Sequence, residues 1–364
     1  MANRLLKHFL PTAKISAERS KDILLVNPTV SGEREYAERS SLSAFSYSGT
    51  YVFSQSALTI SEVDRFRDND LINWINLGGI NKKDVEHICE LFNVHSLLVE
   101  DIFSVGQRPK VDEVDGVLFC QLNMLYYNED ECRVESEQIS LALGKDYLLS
   151  IQEDDTRDVF DPLRLRLNIA TTKLRQRQAD YLLYSMLDLI VDNYFLVMEK
   201  LANRIEAMED EVIHNSYNQS LLQINLLRKE LIILRRNIIP VRDLIAGIIR
   251  SESSLIEERN LKYFKDINDH IIQAYELSEN YRDMVTNIQD LYINNVNLKL
   301  NEIMKFIAVL TCLMAPATII GGIFGMNFDI IPYAHKHYGF YLAIALMIAI
   351  PWGMLVMFKR RNWF

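Results

Sequence analysis

The chain has 364 residues and a formal net charge of −10, with 49% hydrophobic and 24% charged residues. This composition is that of a globular protein with added apolar segments. The acidic balance argues against nucleic acid as a partner and favours attraction of cations. The four cysteines form no CxxC pair and are expected to be reduced thiols. The N-terminal residues lack an apolar run long enough for a signal peptide, so we expect the chain before about residue 303 to be cytosolic.

The N-terminal part of the chain divides into an arm and a domain. Residues 1–45 are polar and rich in serine, and we expect an irregular N-terminal arm. Residues 46–254 predict a cytosolic α/β domain with long helices. Asn81 is expected to cap a helix, and runs of β-branched and aromatic residues predict strands at 51–53, 58–60 and 73–77.

Two long periodic runs in this domain predict helices, over 178–214 and 221–250, with the second bent or broken near Pro240. No glycine-rich phosphate loop, Ser-His-Asp set or zinc-ligand spacing is found in the sequence. The sequence therefore predicts that the protein is not an enzyme.

A helical pattern begins near residue 255 and continues without proline or glycine as far as Pro316. It predicts a stalk helix over 255–302 that continues into a first membrane helix over 303–325. One helix of this length would extend on the order of 100 Å. That is too long for the core of a monomer, so we expect a bundle of identical subunits.

Two uncharged segments near the C-terminus are long enough to cross a bilayer. The first lies between Lys305 and Asp329, and the second predicts a membrane helix over 338–358. The loop between the two helices, 326–337, is expected to lie outside, and the basic tail, 359–364, in the cytosol. Lysines and arginines precede the first membrane helix and follow the second, so the positive-inside rule places both termini in the cytosol.

One face of the first membrane helix carries small, hydroxylated and amide side chains. Its members recur at spacings of three or four residues, which places them on a single stripe. Such a stripe either allows close packing between helices or lines a water-filled path, and spacing alone does not decide between the two. The stripe consists of Asn301, Met304, Ile307, Thr311, Ala315, Thr318 and Gly322.

The first membrane helix closes on Gly325-Met326-Asn327, and a second membrane helix follows at the C-terminal end of a long acidic chain. This arrangement resembles the CorA family of divalent-cation channels, whose signature is that tripeptide in that position. The likeness to the CorA family extends over residues 46–364. The cytosolic segments that share it include Glu135-Ser136-Glu137-Gln138 and Tyr263-Phe264-Lys265-Asp266.

The resemblance implies an α+β membrane protein that assembles as a homopentamer in an inner or plasma membrane, in contact with lipid. Each subunit would carry the α/β domain, a stalk helix that becomes the pore-lining helix, and a second C-terminal membrane helix. The implied function is passive uptake of hydrated Mg²⁺, and also of Co²⁺ or Ni²⁺, driven by the membrane potential. The implied selectivity filter is Gly325, Met326 and Asn327, and the stripe would line the pore.

The resemblance also implies a regulatory Mg²⁺ site between subunits. Asp101 and Asp266 match its acids, with Glu100 and Asp188 beside them, and bound Mg²⁺ would favour the closed pentamer. For each acid the alternative is a solvated surface charge.

Two other functions stay open at this stage. One is a Zn²⁺ transporter of the same superfamily, and the other is a membrane-anchored oligomeric scaffold in which the two spans serve only as anchors.

Overall fold

The structure is a computed structural model that describes residues 36–67, 69–154, 156–214, 218–326, 331–332 and 336–361. It contains two compact units, of which the first ends at Gln289 and the second begins at Asp290. The predictions for 1–35 and for Asn327 lie outside the described residues.

The first unit is built on a mixed sheet whose strand order is β2-β1-β3-β7-β6-β5-β4. The central pair, β3 and β7, is parallel, and the other neighbouring pairs are antiparallel. The strands of the described residues are β1 (Ser41–Tyr47), β2 (Val52–Ser56), β3 (Ile72–Gly78), β4 (Lys110–Val114), β5 (Val117–Asn128), β6 (Arg133–Leu143) and β7 (Tyr147–Gln152).

Successive side chains of the central strands point to opposite faces of the sheet, and the two faces pack against different elements. Ile75 and Leu77 of β3 belong to a hydrophobic core with the first two helices, whereas Trp74 points the other way. On that second face the Trp74 indole donates to the Ser150 hydroxyl at 2.8 Å, and Phe160 packs edge-on against the indole. The helices are α1 (Lys82–Leu91), α2 (Ser96–Phe103), α3 (Asp161–Leu167), α4 (Ala179–His214), α5 (Asn218–Arg250), α6 (Leu261–Phe324) and α7 (Gly339–Arg360).

The expected α/β fold and the helix cap are confirmed. The Asn81 side chain accepts hydrogen bonds from the N–H groups of Lys83 and Asp84 at the start of α1, which satisfies two donors that a helix leaves free. The expected single helix through Phe324 is also confirmed, because α6 runs for 64 residues. Pro240 does not break α5, which continues through it.

Two predictions near the N-terminus were wrong. The strand expected at 58–60 is instead the entry to a 3₁₀ helix, Ile60–Phe66. The Glu62 carboxylate accepts from the Thr59 N–H at 2.9 Å and from its hydroxyl at 2.8 Å, and this pairing favours a helical turn. Strand β1 begins inside the stretch expected to be irregular, because Leu42 and Ala44 alternate with serines and bury one side of the strand.

The start of α6 is fixed by a buried acid on α4. The Asp180 carboxylate is almost wholly buried and accepts from the Glu257 N–H and from the Asn260 side-chain amide, both at 2.9 Å. Burial raises the pKa of Asp180, although these hydrogen bonds oppose the shift. This pairing, which we call the Asp180 latch, holds the turn that leads into α6 against the first turn of α4.

Three helices of the described residues are long and apolar enough to span a membrane: α4, α6 and α7. The apolar window of α4 is 56% buried inside the protein, against 6% for each of the other two. Helix α4 packs against the sheet and carries Asp180, so it is a core helix of the α/β unit. The apolar windows of α6 and α7 have the exposure expected of membrane helices.

Glu137, a buried acid on β6, has a raised pKa. Glu137 accepts from the Asp154 N–H at 2.8 Å, and its other oxygen lies 3.2 Å from the Tyr126 hydroxyl. Burial raises the pKa of Glu137 to about 7, outweighing these hydrogen bonds. Tyr126 also donates to the Arg157 carbonyl at 2.7 Å. A phenol has one proton, so the Glu137 carboxyl and the Arg157 carbonyl share the Tyr126 hydroxyl as a donor.

We expect Glu137→Gln to stabilise the protein at about pH 8 by about 1–2 kcal/mol, with the gain vanishing toward about pH 5. A carboxyl whose pKa is raised on folding contributes its full stability below its unfolded-state pKa. That contribution is lost as the pH rises toward 7, and glutamine imitates the protonated form at every pH. Unfolding of the purified protein in detergent across this pH range measures the difference.

Glu135→Gln, two residues away on β6, is the matched control. Hydrogen bonds from Arg157 and Asn128 lower the pKa of Glu135 to about 2, so its loss should destabilise the protein at both pH values. A Glu137→Gln effect that is the same at both pH values would contradict the assignment.

Candidate divalent-cation sites

Helices α4 and α6 bring together a group of metal-ligand side chains within the first unit. Asp188 and Asp192 lie four residues apart on α4, and His270 lies on α6. One potential ligand atom of each of these three side chains lies within 4.8 Å of the others. We call these three residues the α4–α6 cluster.

The electrostatics of the cluster favour a bound cation. Burial raises the pKa of Asp188, and the negative charges of Asp192 and Asp266 raise it further, while His270 opposes the shift. Negative charges held this close repel one another, and a divalent ion between them removes the repulsion. The carboxylate oxygens suit Mg²⁺, which prefers oxygen ligands and keeps part of its water shell, whereas the imidazole suits Co²⁺, Ni²⁺ or Zn²⁺.

Aromatic side chains pack beside the cluster, toward the N-terminal ends of α4 and α6. The Tyr184 hydroxyl donates to the Asp188 carboxylate at 3.4 Å. The Tyr184 ring packs against Tyr263 and Phe264 of α6, with centroid distances of 5.1 and 6.1 Å. Together with the Asp180 latch, these contacts set the register between the two helices, and so decide which side chains of α4 and α6 meet.

The four acids predicted as regulatory ligands are only partly brought together in one chain. Asp188 and Asp266 lie close enough for the charge of Asp266 to raise the pKa of Asp188. Glu100 and Asp101 lie on α2, where Glu100 is exposed. Asp101 forms an ion pair with Lys110, with Oδ2 and Nζ 2.6 Å apart. Within the described part of one chain, the α4–α6 cluster does not include these two residues.

The ligand set predicted from the sequence includes neither Asp192 nor His270. The available signal was the spacing of four residues in each helix, which pairs Asp188 with Asp192 and Asp266 with His270 on common faces. What the sequence lacked was the pairing of α4 with α6, since their segments are separated by the whole of α5.

The predicted stripe lies on α6 in the second unit and is exposed along its whole length. Met304 and Ile307 are 66% and 54% exposed. The two hydroxyls donate to the carbonyls four residues earlier, Thr311 to Ile307 at 2.9 Å and Thr318 to Met314 at 3.0 Å. With their protons committed to the backbone, these hydroxyl oxygens keep lone pairs for an outside donor. The remaining stripe residues, all exposed, are Asn301, Ala315 and Gly322.

Helix α6 ends just before the predicted filter. The Gly325 N–H donates to the Gly321 carbonyl at 3.0 Å, and a side chain at Gly325 would place its Cβ 3.1 Å from that same oxygen. This contact is tighter than most side chains tolerate and accounts for glycine at this position. Met326 is 53% exposed, and Asn327 lies outside the described residues.

Comparison with known proteins agrees with this fold. Residues 69–360 match the family described as CorA-like Mg²⁺ transporter protein. The chain is 36% identical over 330 residues to the cobalt/magnesium transport protein CorA of Thermotoga maritima, covering 90% of this chain and 94% of that one.

Two solved structures share the fold. The complete structure of the CorA magnesium transporter from Methanocaldococcus jannaschii matches with a TM-score of 0.74 at 22% identity, covering 91% of this chain and all of that one. The cytoplasmic domain of ZntB from Vibrio parahaemolyticus matches with a TM-score of 0.55 at 17% identity, covering 71% of this chain and 98% of that one.

The fold, the apolar helices and these matches define an integral membrane protein that transports divalent cations and is not an enzyme. The chain belongs to the CorA-like Mg²⁺ transporter family.

We expect Mg²⁺ to raise the unfolding temperature of the full-length protein in detergent, and Asp192→Asn to remove at least half of that rise. A ligand that binds only the folded state stabilises it by about 2.7 kcal/mol at a concentration of 100 times its Kd, and losing one carboxylate ligand weakens binding. His270→Gln should reduce the rise with Co²⁺ more than the rise with Mg²⁺, because imidazole suits the softer ion.

Glu199→Gln is the matched control, because Glu199 is an exposed acid of α4 outside the cluster. A Mg²⁺-dependent rise that survives Asp192→Asn unchanged would remove this residue from the site.

Proposed function

We propose that the protein is a homopentameric channel through which hydrated Mg²⁺ enters the cell, with Co²⁺ or Ni²⁺ as further substrates. The observation that carries this proposal is the stripe on α6. Polar, hydroxylated and small side chains occupy one exposed face of an apolar helix, where lipid would not stabilise them. Symmetric copies of α6 around an axis would turn that face inward and line a pore.

The stripe offers the chemistry that a hydrated ion needs. Mg²⁺ releases its water shell reluctantly, so a pore for the hydrated ion requires acceptors for the hydrogens of the bound waters. The hydroxyl oxygens of Thr311 and Thr318, whose protons are engaged by the backbone, would supply two rings of such acceptors. Asn301 would supply a third ring, and Gly322 and Ala315 would leave room for the water shell.

The pore would have a narrow apolar section near its cytosolic end. Met304 and Ile307 lie between Asn301 and Thr311 on the stripe and are more than half exposed in the single chain. A narrow ring of such side chains blocks ions by excluding water, and a small rotation of the helices opens it. This section is the proposed gate.

The proposed selectivity filter is Gly325-Met326-Asn327 at the outer end of α6. Five amide oxygens from Asn327 and five backbone carbonyls from Gly325 would form neutral rings that accept hydrogen bonds from the waters around the ion. Neutral acceptors at a wide radius suit a fully hydrated divalent ion better than a tight carboxylate cage.

The membrane potential would drive uptake. Moving one charge through an inside-negative potential is worth about 2.3 kcal/mol per 100 mV, and a divalent ion gains twice that amount. This orientation requires both termini in the cytosol and two spans, 303–325 and 338–358, joined by an outer loop over 326–337. The basic tail, 359–364, would lie at the inner face of an inner or plasma membrane.

Internal Mg²⁺ would close the channel by bridging subunits. Asp101 and Asp266 are proposed to meet across a subunit boundary, with Glu100 and Asp188 beside them. The charge of Asp266 already raises the pKa of Asp188 within one chain, and acids from a neighbour would increase the repulsion. A divalent ion that relieves it stabilises the closed assembly, so the ion favours the state that binds it.

The second candidate function, and the runner-up to Mg²⁺ uptake, is transport of Zn²⁺. Two observations favour it: the likeness of the cytoplasmic domain to that of ZntB, and the imidazole of His270 in the α4–α6 cluster. The family match and the mostly carboxylate ligand set favour Mg²⁺. A scaffold that uses the two spans only as anchors would leave the polar stripe without a role.

We expect Asn327→Ala to abolish Mg²⁺ influx into liposomes that carry the purified protein. Removing the amide deletes the ring of acceptors that the filter offers to the hydrated ion. Asn287→Ala, the same change at an exposed position of α6 in the first unit, should leave the flux unchanged. Flux that persists in Asn327→Ala would contradict the proposed filter, and Zn²⁺ flux without Mg²⁺ flux would favour the runner-up.

We expect Asp101→Ala and Asp266→Ala each to raise the internal Mg²⁺ concentration that halves the influx, by about tenfold or more. Loss of one charged ligand typically costs 1.5–3 kcal/mol, and 1.4 kcal/mol is a factor of about ten. Asp64→Asn, an exposed acid of the same unit, is the control. Inhibition that is unaltered in both variants would leave the channel in place and refute the regulatory site.

A further inference from the structure

Lys110, the first residue of β4, holds its ammonium between two acids. Its Nζ lies 2.6 Å from Oδ2 of Asp101 and 3.3 Å from Oδ2 of Asp112. The Asp101 side chain is only 18% exposed and that of Lys110 34%. At this degree of burial the attraction between the two charges is screened less than that of a surface ion pair.

The helix that carries Asp101 is anchored next to β4. The buried Gln121 side chain donates to the Asp101 carbonyl at 3.0 Å, and the buried Gln138 side chain donates to the Ile102 carbonyl at 3.2 Å. Both glutamines lie on strands of the sheet, so the last turn of α2 is held at a fixed distance from Lys110. The ion pair is therefore part of the folded structure and does not depend on a chance rotamer of a free surface lysine.

The ammonium lies directly against a proposed ligand. Lys110 Nζ contacts the Asp101 carboxylate to which the proposed regulatory site assigns a divalent ion. Asp101 and Asp112 share this one ammonium.

We propose that Lys110 is a resident counter-cation that competes with divalent ions for Asp101 and so sets the internal Mg²⁺ concentration at which the regulatory site fills. This inference rests on the proposed role of Asp101 as a ligand. It assigns to Lys110 a tuning role and not a ligand role, because an ammonium has no lone pair to offer a metal.

Competition follows from charge balance. Without Mg²⁺, the ammonium neutralises Asp101 and lowers the repulsion that a neighbouring acid would meet. When Mg²⁺ arrives, the ammonium must either move away or remain close to a dication, and both cost free energy. The site then fills at a higher Mg²⁺ concentration than a bare carboxylate would require.

Asp112 offers the displaced ammonium a second partner. Since Nζ already lies 3.3 Å from Asp112, the lysine can transfer its main contact from one acid to the other without losing charge pairing. This reduces the cost of displacement and keeps the site within reach of Mg²⁺. The two acids beside Lys110 are thus predicted to favour filling of the site by different routes, because Asp101 binds the metal and Asp112 receives the lysine.

The test measures the internal Mg²⁺ concentration that halves influx into liposomes carrying the full-length protein. Lys110→Met should lower this concentration about three- to tenfold, the range expected from losing an ion pair of this burial. Lys110→Arg, which keeps the cation, should stay close to wild type. Asp112→Asn should raise the concentration, because the displaced ammonium then has no second carboxylate charge to pair with.

A double-variant cycle separates this inference from the proposed regulatory site. In an Asp101→Asn background, Lys110→Met should have no further effect, since the lysine acts through that carboxylate. If Asp101→Asn alone leaves inhibition unchanged, the regulatory role of Asp101 fails and this inference fails with it. If Asp101→Asn weakens inhibition while Lys110→Met does not strengthen it, only the competition by Lys110 is refuted.

Loss of folding is distinguished by a second variant and a second measurement. Lys110→Gln removes the charge but can still donate a hydrogen bond to Asp101, and it should shift inhibition in the same direction as Lys110→Met. Size-exclusion chromatography of each variant in detergent reports assembly. A shift shared by both neutral variants, with assembly intact, supports the inference, and a shift in Lys110→Met alone contradicts it.

Discussion

The internal hydrogen bonding of the α-helix is the constraint on which this protein depends. Helix α6 continues unbroken from Leu261 to Phe324, through a charged segment and then an uncharged one. A helix can enter lipid because its peptide groups bond to one another and leave few unsatisfied in the bilayer. In α6 Pro316 has no N–H, so the Cys312 carbonyl loses its usual helical donor. In α6 this self-sufficiency extends to side chains, since Thr311 and Thr318 donate to its own carbonyls.

A helix that satisfies its own backbone is free to use its faces for chemistry. Near one end, Asp266 and His270 face α4, where burial and neighbouring charge raise the pKa of Asp188. Toward the other end the apolar segment is 6% buried, so it requires lipid and other helices around it. Both ends consist of ordinary side chains whose properties come from their position on the helix and from what covers them.

The elements with a strong local signal could be predicted from the sequence. The cap at Asn81, the single helix through Phe324 and the α/β class depend on spacing and local chemistry, and the structure confirms them. The strand expected at 58–60 failed because a Thr59–Glu62 pairing outweighed the β propensity of the run.

Contacts between separate helices and strands could not be predicted from the sequence. The packing that brings Asp192 within reach of His270 joins segments on either side of α5. The pairing of Lys110 with Asp101 depends on the register that places the first residue of β4 beside the last turn of α2. Neither periodicity nor a motif carries that information, because it arises only when the sheet and the helices pack.

The Asp180 latch has a consequence for how this part of the chain can change in length. It ties the first turn of α4 to the turn that leads into α6, and Asp188 follows on α4 eight positions after Asp180. Deleting one residue between them would rotate everything beyond the deletion by about 100°, turning Asp188 away from His270 while the latch stayed closed. The length of this segment is therefore fixed by the phase of the helix, independently of which side chains it carries.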